Sequence, residues 1–259
     1  MISVTGADIT AWVGSYLWPF VRIGAFVGAA PVFGTRFLPV RLRIVIAIAL
    51  TIIISPIVDS VPVIDALSAD GVMVVIQQVL IGLSMGFALH LVFSAFVLGG
   101  QIIAMGMGLG FASMNDPSSG VVVPTVGQLY TILVTLAFLS VNGHLIMINV
   151  IADSFTTMPI AVTGISTTSI WNIVAWAGYM FKGAVLIALP SLGAMLVVNL
   201  GLGVITRAAP QLNIFAVGFP VIMTFGFIVI LLGLSNAMTR FFGITNDAFL
   251  MLSGLVAGG

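Results

Sequence analysis

The residues able to do chemistry in this sequence are few, and the first candidate among them is a serine. Ser84 lies in Gly-Leu-Ser-Met-Gly, residues 82–86, which has the G-x-S-x-G pattern of serine hydrolases, and His144 is a candidate base. That pattern needs a sharp turn between a strand and a helix to expose the hydroxyl. Here it lies inside a long apolar run, where the same glycines favour helix packing. We therefore expect no enzyme, and an intramembrane serine hydrolase is the weakest alternative.

Two charged residues inside apolar stretches form the second candidate. Arg22 and Lys182 lie where a charge costs at least about 2.5–3.5 kcal/mol in a bilayer and usually marks a polar interior. Both are predicted to be buried charges, and they make an ion-coupled secondary transporter the main alternative function. Coupling usually also needs a carboxylate at membrane depth. Six of the seven aspartates lie near segment ends or in loops, and Asp116 follows a Gly/Met run.

Metal, redox and nucleic-acid chemistry are unfavoured by the composition. The sequence has no cysteine, and its only histidines, His90 and His144, are expected to be packing residues. We therefore expect no metal site and no cofactor. Seven basic residues balance seven acidic ones, and no basic run is present, which argues against a nucleic-acid partner.

The apolar composition defines the class of the protein. The chain is 61% hydrophobic and 5% charged, whereas an average soluble domain is roughly 45–50% apolar and about 25% charged. Six segments approach or exceed the roughly 20 apolar residues that cross a bilayer as a helix. They are residues 10–30, 44–64, 72–103, 124–152, 170–205 and 212–235. The sequence thus predicts an all-α, polytopic membrane-type protein with about six long, kinked apolar segments.

Two of these segments are longer than a bilayer requires. As single helices at about 1.5 Å per residue, segments 72–103 and 170–205 would extend about 48 Å and about 54 Å, against a hydrocarbon core of about 30 Å. Tilt does not absorb so large an excess. Either glycine and proline break these helices, or other protein buries them beyond the bilayer.

A segment rich in glycine and methionine, residues 99–120, fits neither a helix nor a solvated loop. Glycine costs about 1 kcal/mol in a helix interior, and irregular backbone at membrane depth survives only where protein buries it or where it lines a watery cavity. Methionine can fill an irregular gap and repack. The segment is interpreted as a channel plug or gate, or else as a buried re-entrant loop. Its candidate residues are Met105, Gly106, Met107, Gly108, Gly110, Phe111, Met114, Asp116 and Pro117.

The order of several motifs resembles the FliR family, the R subunit of the flagellar type III export gate, which is related to the T subunit of virulence injectisomes. The most specific motif is Arg-Ala-Ala-Pro-Gln-Leu-Asn-Ile-Phe at 207–215, followed by Gly-Phe-Pro at 218–220. Supporting motifs lie at 36–43, 106–117, 142–144, 154–159 and 189–190. One departure is Gln78, where many family members carry a glutamate. No role of that carboxylate is transferred to this chain.

The resemblance implies a core subunit of the flagellar type III protein export gate in the bacterial inner membrane, with much of the fold raised to the periplasmic side. Residues 1–165 would resemble the P subunit, and residues 166–259 would form a Q-like helical hairpin with a C-terminal tail. With P and Q subunits the chain would form a hetero-oligomeric channel for unfolded flagellar proteins, plugged by loop 106–123. A cytoplasmic turn would contact the B subunit. Its expected contact residues are Arg207, Pro210, Gln211, Asn213 and Phe215.

The distribution of basic residues predicts the orientation of the segments. Under the positive-inside rule, the loop with Arg36, Arg41 and Arg43 and the turn with Arg207 lie in the cytoplasm. Both termini then lie outside, which agrees with the cytoplasmic turn that the resemblance implies.

Overall fold

A computed structural model describes residues 6–34, 38–58, 61–109, 125–209 and 214–257 of the chain. The described residues form seven α-helices and one short 3-10 helix, Ser55–Ile57, and contain no strand. The predicted all-α class is confirmed. The helices are α1 Gly6–Ala29, α2 Val40–Ile54, α3 Ala69–Gly106, α4 Thr125–Ser140, α5 Gly143–Thr157, α6 Thr167–Ala208 and α7 Ile214–Ala257.

Four windows are long and apolar enough to cross a membrane, and they include most of α2, α3, α6 and α7. A fifth is counted if α4 and α5, which are bent by 70° at their junction, act as one span. With 38, 42 and 44 residues, α3, α6 and α7 extend about 57, 63 and 66 Å, roughly twice the thickness of the hydrocarbon core. Glycine and proline therefore do not break the overlong segments into separate helices.

The helices cluster into two compact units, each built from several parts of the chain. The first unit comprises Met1–Leu91, Phe138–Ala177 and Asn246–Gly259, and the second comprises Val92–Ala137 and Gly178–Thr245. The long helices α3, α6 and α7 contribute to both units. The division at residue 165 concerns likeness to other subunits and stays a prediction.

In the first unit, two glycines of α3 allow the backbone of α1 to come close. A Cβ atom on Gly82 would overlap the carbonyl oxygen of Arg22, and one on Gly86 would lie 2.8 Å from the Cβ of Ala29 and 2.9 Å from the amide nitrogen of Ala30. Any larger residue at either position would push the two helices apart. The glycines of the G-x-S-x-G pattern thus serve helix packing, as the apolar context predicts.

The core of the second unit is aromatic. The rings of Phe93 and Phe96 meet the ring of Phe241 edge-on, with centroid distances of 5.6 Å and 5.3 Å. Tyr130 of α4 adds a tilted contact with Phe96 at 6.3 Å. Edge-to-face pairs of this kind add about 0.5–1.5 kcal/mol beyond the area they bury. They fix the register of α3, α4 and α7 within this unit.

Candidate functional site

The first unit contains a fully buried arginine whose hydrogen bonds join three helices. Arg22, on α1, has no exposed surface. Its Nε donates to Oε1 of Gln78 on α3 at 2.7 Å. Its Nη1 donates to the carbonyl oxygen of Ser154 at 2.7 Å and to the Ser154 hydroxyl at 3.1 Å, and its Nη2 donates to the carbonyl oxygen of Met158 at 2.8 Å. We call Arg22, Gln78, Ser154, Phe155 and Met158 the Arg22 site.

The charge of Arg22 is balanced by dipoles. Among the described residues no carboxylate pairs with its guanidinium, whose Cζ lies 4.3 Å from the centroid of the Phe155 ring. Two of its acceptors are carbonyls at the C-terminus of α5, where the helix carries partial negative charge. The Phe155 ring adds a cation–π contact. This arrangement explains how a cation is accommodated in a dry interior.

Gln78 is the weak member of the Arg22 site. Its Oε1 accepts from Arg22, but its buried Nε2 has no hydrogen-bond partner in the described part of the chain. A buried donor left unpaired costs about 1–3 kcal/mol. A glutamate at this position would accept from Arg22 without leaving a donor unpaired.

Lys182 differs from Arg22 and does not fit the expectation of burial. Its side chain is exposed on α6. Its Nζ lies 5.6 Å from the centroid of the Tyr179 ring, a loose cation–π contact. The second buried charge expected from the sequence is therefore not found in the described fold.

Helix α3 ends in a glycine turn that leads to the predicted gate segment. The N–H of Leu109 donates to the carbonyl oxygen of Ala104 and the N–H of Gly108 to that of Met105, both at 3.0 Å. Gly108 has a φ of +77°, the left-handed conformation that glycine adopts without a Cβ clash. This is the Schellman arrangement, with Gly108 just after the last helical turn.

Beside this turn, Met107 packs into a space left by a glycine of α7. Met107 is fully buried, and a Cβ on Gly226 would lie 2.5 Å from its Cγ, 2.7 Å from its Cε and 2.9 Å from its Sδ. We call this the Met107 contact. Gly106 faces α6, where an added Cβ would lie 3.0 Å from Leu192. The end of α3 is thus packed against both α6 and α7 within the second unit.

Met105 lies on the other side of the same helical turn, with 63% of its surface exposed. The two methionines therefore do not share one environment. Five other predicted gate residues fall outside the described residues: Gly110, Phe111, Met114, Asp116 and Pro117. The expectation of non-helical backbone from residue 99 is wrong for its first part, because α3 continues through Gly99 and Gly100 to Gly106.

The predicted partner-contact turn is described only at its first residue. Arg207 is exposed in the last turn of α6, where a cation favours the helix dipole. Pro210, Gln211 and Asn213 lie outside the described residues, as does the side chain of Phe215. The role of this turn stays a prediction.

Ser84 and His144 do not form a dyad in the described fold. Ser84 lies in the middle of α3, rather than on a turn between a strand and a helix. Nδ1 of His144 is buried and has no hydrogen-bond partner among the described residues. The geometry that a serine nucleophile needs is therefore missing from this pair.

Two functional contacts escaped the sequence reasoning. Ser154 and Phe155 were recognised only as a motif, and their role as partners of Arg22 depends on where α5 ends. Gly226 carried no local signal, because its neighbours are ordinary apolar residues. Its meaning appears only from Met107, far away in the sequence.

Comparison with known proteins assigns the family. The family described as "Bacterial export proteins, family 1" matches residues 13–248. The flagellar biosynthetic protein FliR of Pectobacterium carotovorum subsp. carotovorum is 38% identical over 228 residues, which are 87% of this chain and 86% of that protein. FliR of Escherichia coli strain K12 is 34% identical over the same shares of both chains, and FliR of Aquifex aeolicus strain VF5 is 31% identical over 84% of each. The chain therefore belongs to the FliR family of bacterial flagellar export proteins.

Proposed function

We propose that this chain is a core subunit of the flagellar type III protein export gate. With the P and Q subunits it forms the channel through which unfolded flagellar proteins leave the cell. Its own part is to build and close that channel, and it carries out no catalysis. The 1–165 part is P-like and the 166–259 part is Q-like.

The observation that carries this proposal is the long apolar surface of α6. Large apolar side chains are exposed along this helix from Ile170 through Val185 and Leu196 to Ile205, a rise of about 53 Å. The hydrocarbon core is only about 30 Å thick. Lipid therefore cannot cover the whole of this surface, and α7 presents a similar one from Val217 to Leu250. Other subunits of a helical assembly would cover the remainder.

Segment 106–123 serves in this proposal as the plug of the channel. Its first residues support the role, because Gly106 and Met107 attach it to α6 and α7 while Met105 remains exposed. A plug must be attached at its base and soft at its surface, and methionine side chains are both apolar and adaptable.

The orientation follows from the same assignment. The exposed Arg207 at the end of α6 begins the cytoplasmic turn that contacts the B subunit. The protein lies in the bacterial inner membrane at the flagellar basal body, with much of its helical length raised to the periplasmic side.

Co-expression tests the assembly. The tagged full-length chain is produced together with the P and Q subunits of the same genome, extracted in mild detergent and analysed by native mass spectrometry. We expect a hetero-oligomer, and a monodisperse particle of this chain alone would contradict the gate. Leu200→Lys, on the exposed face of α6, should lose partner subunits. Asn199→Lys places the same charge on the neighbouring exposed polar residue and is the matched control.

Deletion tests the plug. Removal of residues 106–114 from the assembled complex should raise the passive conductance of a planar bilayer, because the deletion removes the seal together with the turn and the Met107 contact that attach it, while the other helices remain. Equal conductance of the deleted and intact complexes would argue against a plug.

A further inference from the structure

The second unit contains a cavity of about 260 Å³ between α4, α6 and α7. Its wall is mainly apolar and is formed by Tyr130, Leu186, Ile187, Pro190, Val229, Leu232, Gly233 and Ala237. Ser191, Asn236 and Arg240 supply the polar groups. The volume lies just below the 300–1,000 Å³ typical of sites for whole small molecules. It suits a polar headgroup with part of an apolar chain.

Arg240 is an unbalanced cation at one edge of this cavity. It lies in the apolar window Val217–Gly254 and is half-buried, yet it makes no hydrogen bond or ion pair within the described ranges. A cation inside an apolar span costs at least about 2.5–3.5 kcal/mol unless a partner or a polar region compensates it. Asn236, one helical turn earlier on α7, also lines the cavity and is also without a hydrogen bond there.

The position of Arg240 along α7 indicates how deep in the membrane a partner of its charge would lie. Arg240 follows Val217 by 23 residues, a rise of about 35 Å, close to the thickness of a hydrocarbon core. If the apolar window enters the membrane near Val217, Arg240 therefore reaches the headgroup region of the opposite side. The apolar wall of the cavity begins there and extends back toward the hydrocarbon.

Two residues that line the cavity, Pro190 on α6 and Gly233 on α7, differ from ordinary helical residues. Pro190 has no N–H, so the helical hydrogen bond to the carbonyl oxygen of Leu186 is missing beside the cavity. Gly233 leaves space on α7, because a Cβ added there would meet nothing within 4 Å.

We propose that this cavity binds an acidic phospholipid of the surrounding bilayer. The phosphate accepts hydrogen bonds from Arg240 and Asn236, and part of one acyl chain lies against Leu186, Val229 and Leu232. An anionic headgroup supplies the countercharge that the described residues do not provide, and the apolar wall selects a lipid over a free ion.

Lipid analysis of the purified full-length chain tests this site. We expect an acidic phospholipid to be enriched over its proportion in the membrane, and Arg240→Gln should lower that enrichment about tenfold or more, since charge-assisted hydrogen bonds contribute about 1.5–3 kcal/mol. Gly233→Leu should lower it similarly by filling the cavity while Arg240 remains. Lys182→Gln removes a positive charge outside the cavity and should leave it unchanged.

Stability controls, a charge-conserving variant and a competition experiment complete the test of the lipid site. A comparable thermal midpoint for both cavity variants shows that they fold, and Arg240→Lys should retain part of the enrichment because it keeps the charge. The proposal is overturned if Arg240→Gln retains the acidic lipid, or if Lys182→Gln loses it equally. It is also overturned if excess inorganic phosphate displaces the lipid completely, since the apolar wall would then contribute nothing.

Discussion

The Arg22 site and the Met107 contact join helices by opposite physical means. At the Arg22 site, a charged group donates to Gln78 Oε1 and to backbone carbonyls at 2.7–2.8 Å, with no exposed surface. At the Met107 contact, an unbranched thioether side chain fills the space above a glycine of α7.

This difference determines how each region can change. Hydrogen bonds from a buried charge are directional, and any displacement leaves the charge and its acceptors unpaired in a dry interior. A methionine packed on glycine has several rotamers and loses only dispersion contacts when it shifts. We infer that the Arg22 site is the fixed frame of its own unit and that the Met107 contact is the more adjustable of the two regions.

The largest expected effect is the loss of stability when Arg22 is replaced. Arg22→Met keeps a long apolar stem but leaves the buried Gln78 Oε1 and the Met158 carbonyl oxygen without a donor, at about 1–3 kcal/mol each, so we expect a loss of about 2–6 kcal/mol. The measurement is the thermal unfolding midpoint of the full-length chain in detergent. Arg22→Lys should recover only part of the loss, because one ammonium cannot reach Gln78 and both carbonyls. An unchanged midpoint for Arg22→Met would show that the site does not stabilise the fold.

The next effect concerns the Met107 contact. Gly226→Ala places a Cβ atom against Met107, and overpacking typically costs about 1–3 kcal/mol. Gly243→Ala, on the same helix, meets nothing within 4 Å and should be neutral or slightly stabilising. We expect only Gly226→Ala to raise passive conductance. Shortening the side chain in Gly226→Ala/Met107→Ala should relieve the overlap, and equal midpoints for Gly226→Ala and Gly243→Ala would refute the tight contact.

A smaller effect is expected at the turn that ends α3. Gly108→Ala forces a residue with a Cβ into left-handed backbone, at about 1–2 kcal/mol. The added Cβ would lie 3.5 Å from Phe219, an ordinary contact, so the cost is conformational. Gly108→Asn should lose less, because asparagine tolerates this conformation. Thermal midpoints check the order, and Asn as damaging as Ala would point to a steric cause.

The fold was predictable where one local property decides it. Apolar length gave the helical class, and the four-residue spacing of Gly82 and Gly86 predicted a close helix contact, whose partner, α1, only the structure identifies. The break between α4 and α5 also had a local signal. Asn142-Gly143 is a turn dipeptide, and Asn142 is left-handed with a φ of +57°, although it lies within an apolar run.

The candidate sites were predictable only in part, because contacts distant in sequence decide them. Arg22 and Lys182 have similar apolar neighbours in sequence, yet Arg22 meets the end of α5 and Lys182 meets no such end. Local pattern cannot distinguish these outcomes. The same limit hid Gly226, whose only distinguishing feature is the distant Met107 above it.

The smallest expected effect concerns Gln78, the amide residue of the Arg22 site. Gln78→Glu removes the unpaired Nε2 donor and gives Arg22 a charged acceptor. Charge-assisted hydrogen bonds are roughly twice as strong as neutral ones, which are each worth about 1 kcal/mol, so we expect a net gain of about 1 kcal/mol after desolvation of the carboxylate. Gln77→Glu, at the neighbouring half-buried position, should give no such gain.

The sign of this effect should depend on Arg22. In the Arg22→Met background, Gln78→Glu buries a carboxylate without a partner and should destabilise the fold, because an isolated buried charge is costly. Thermal midpoints of the two single variants and the double variant complete a double-mutant cycle that isolates the pair. A gain of the same size in both backgrounds would mean that the glutamate acts independently of Arg22. A reversal of sign would show that Gln78, as a neutral amide, does not supply the countercharge that buried Arg22 lacks.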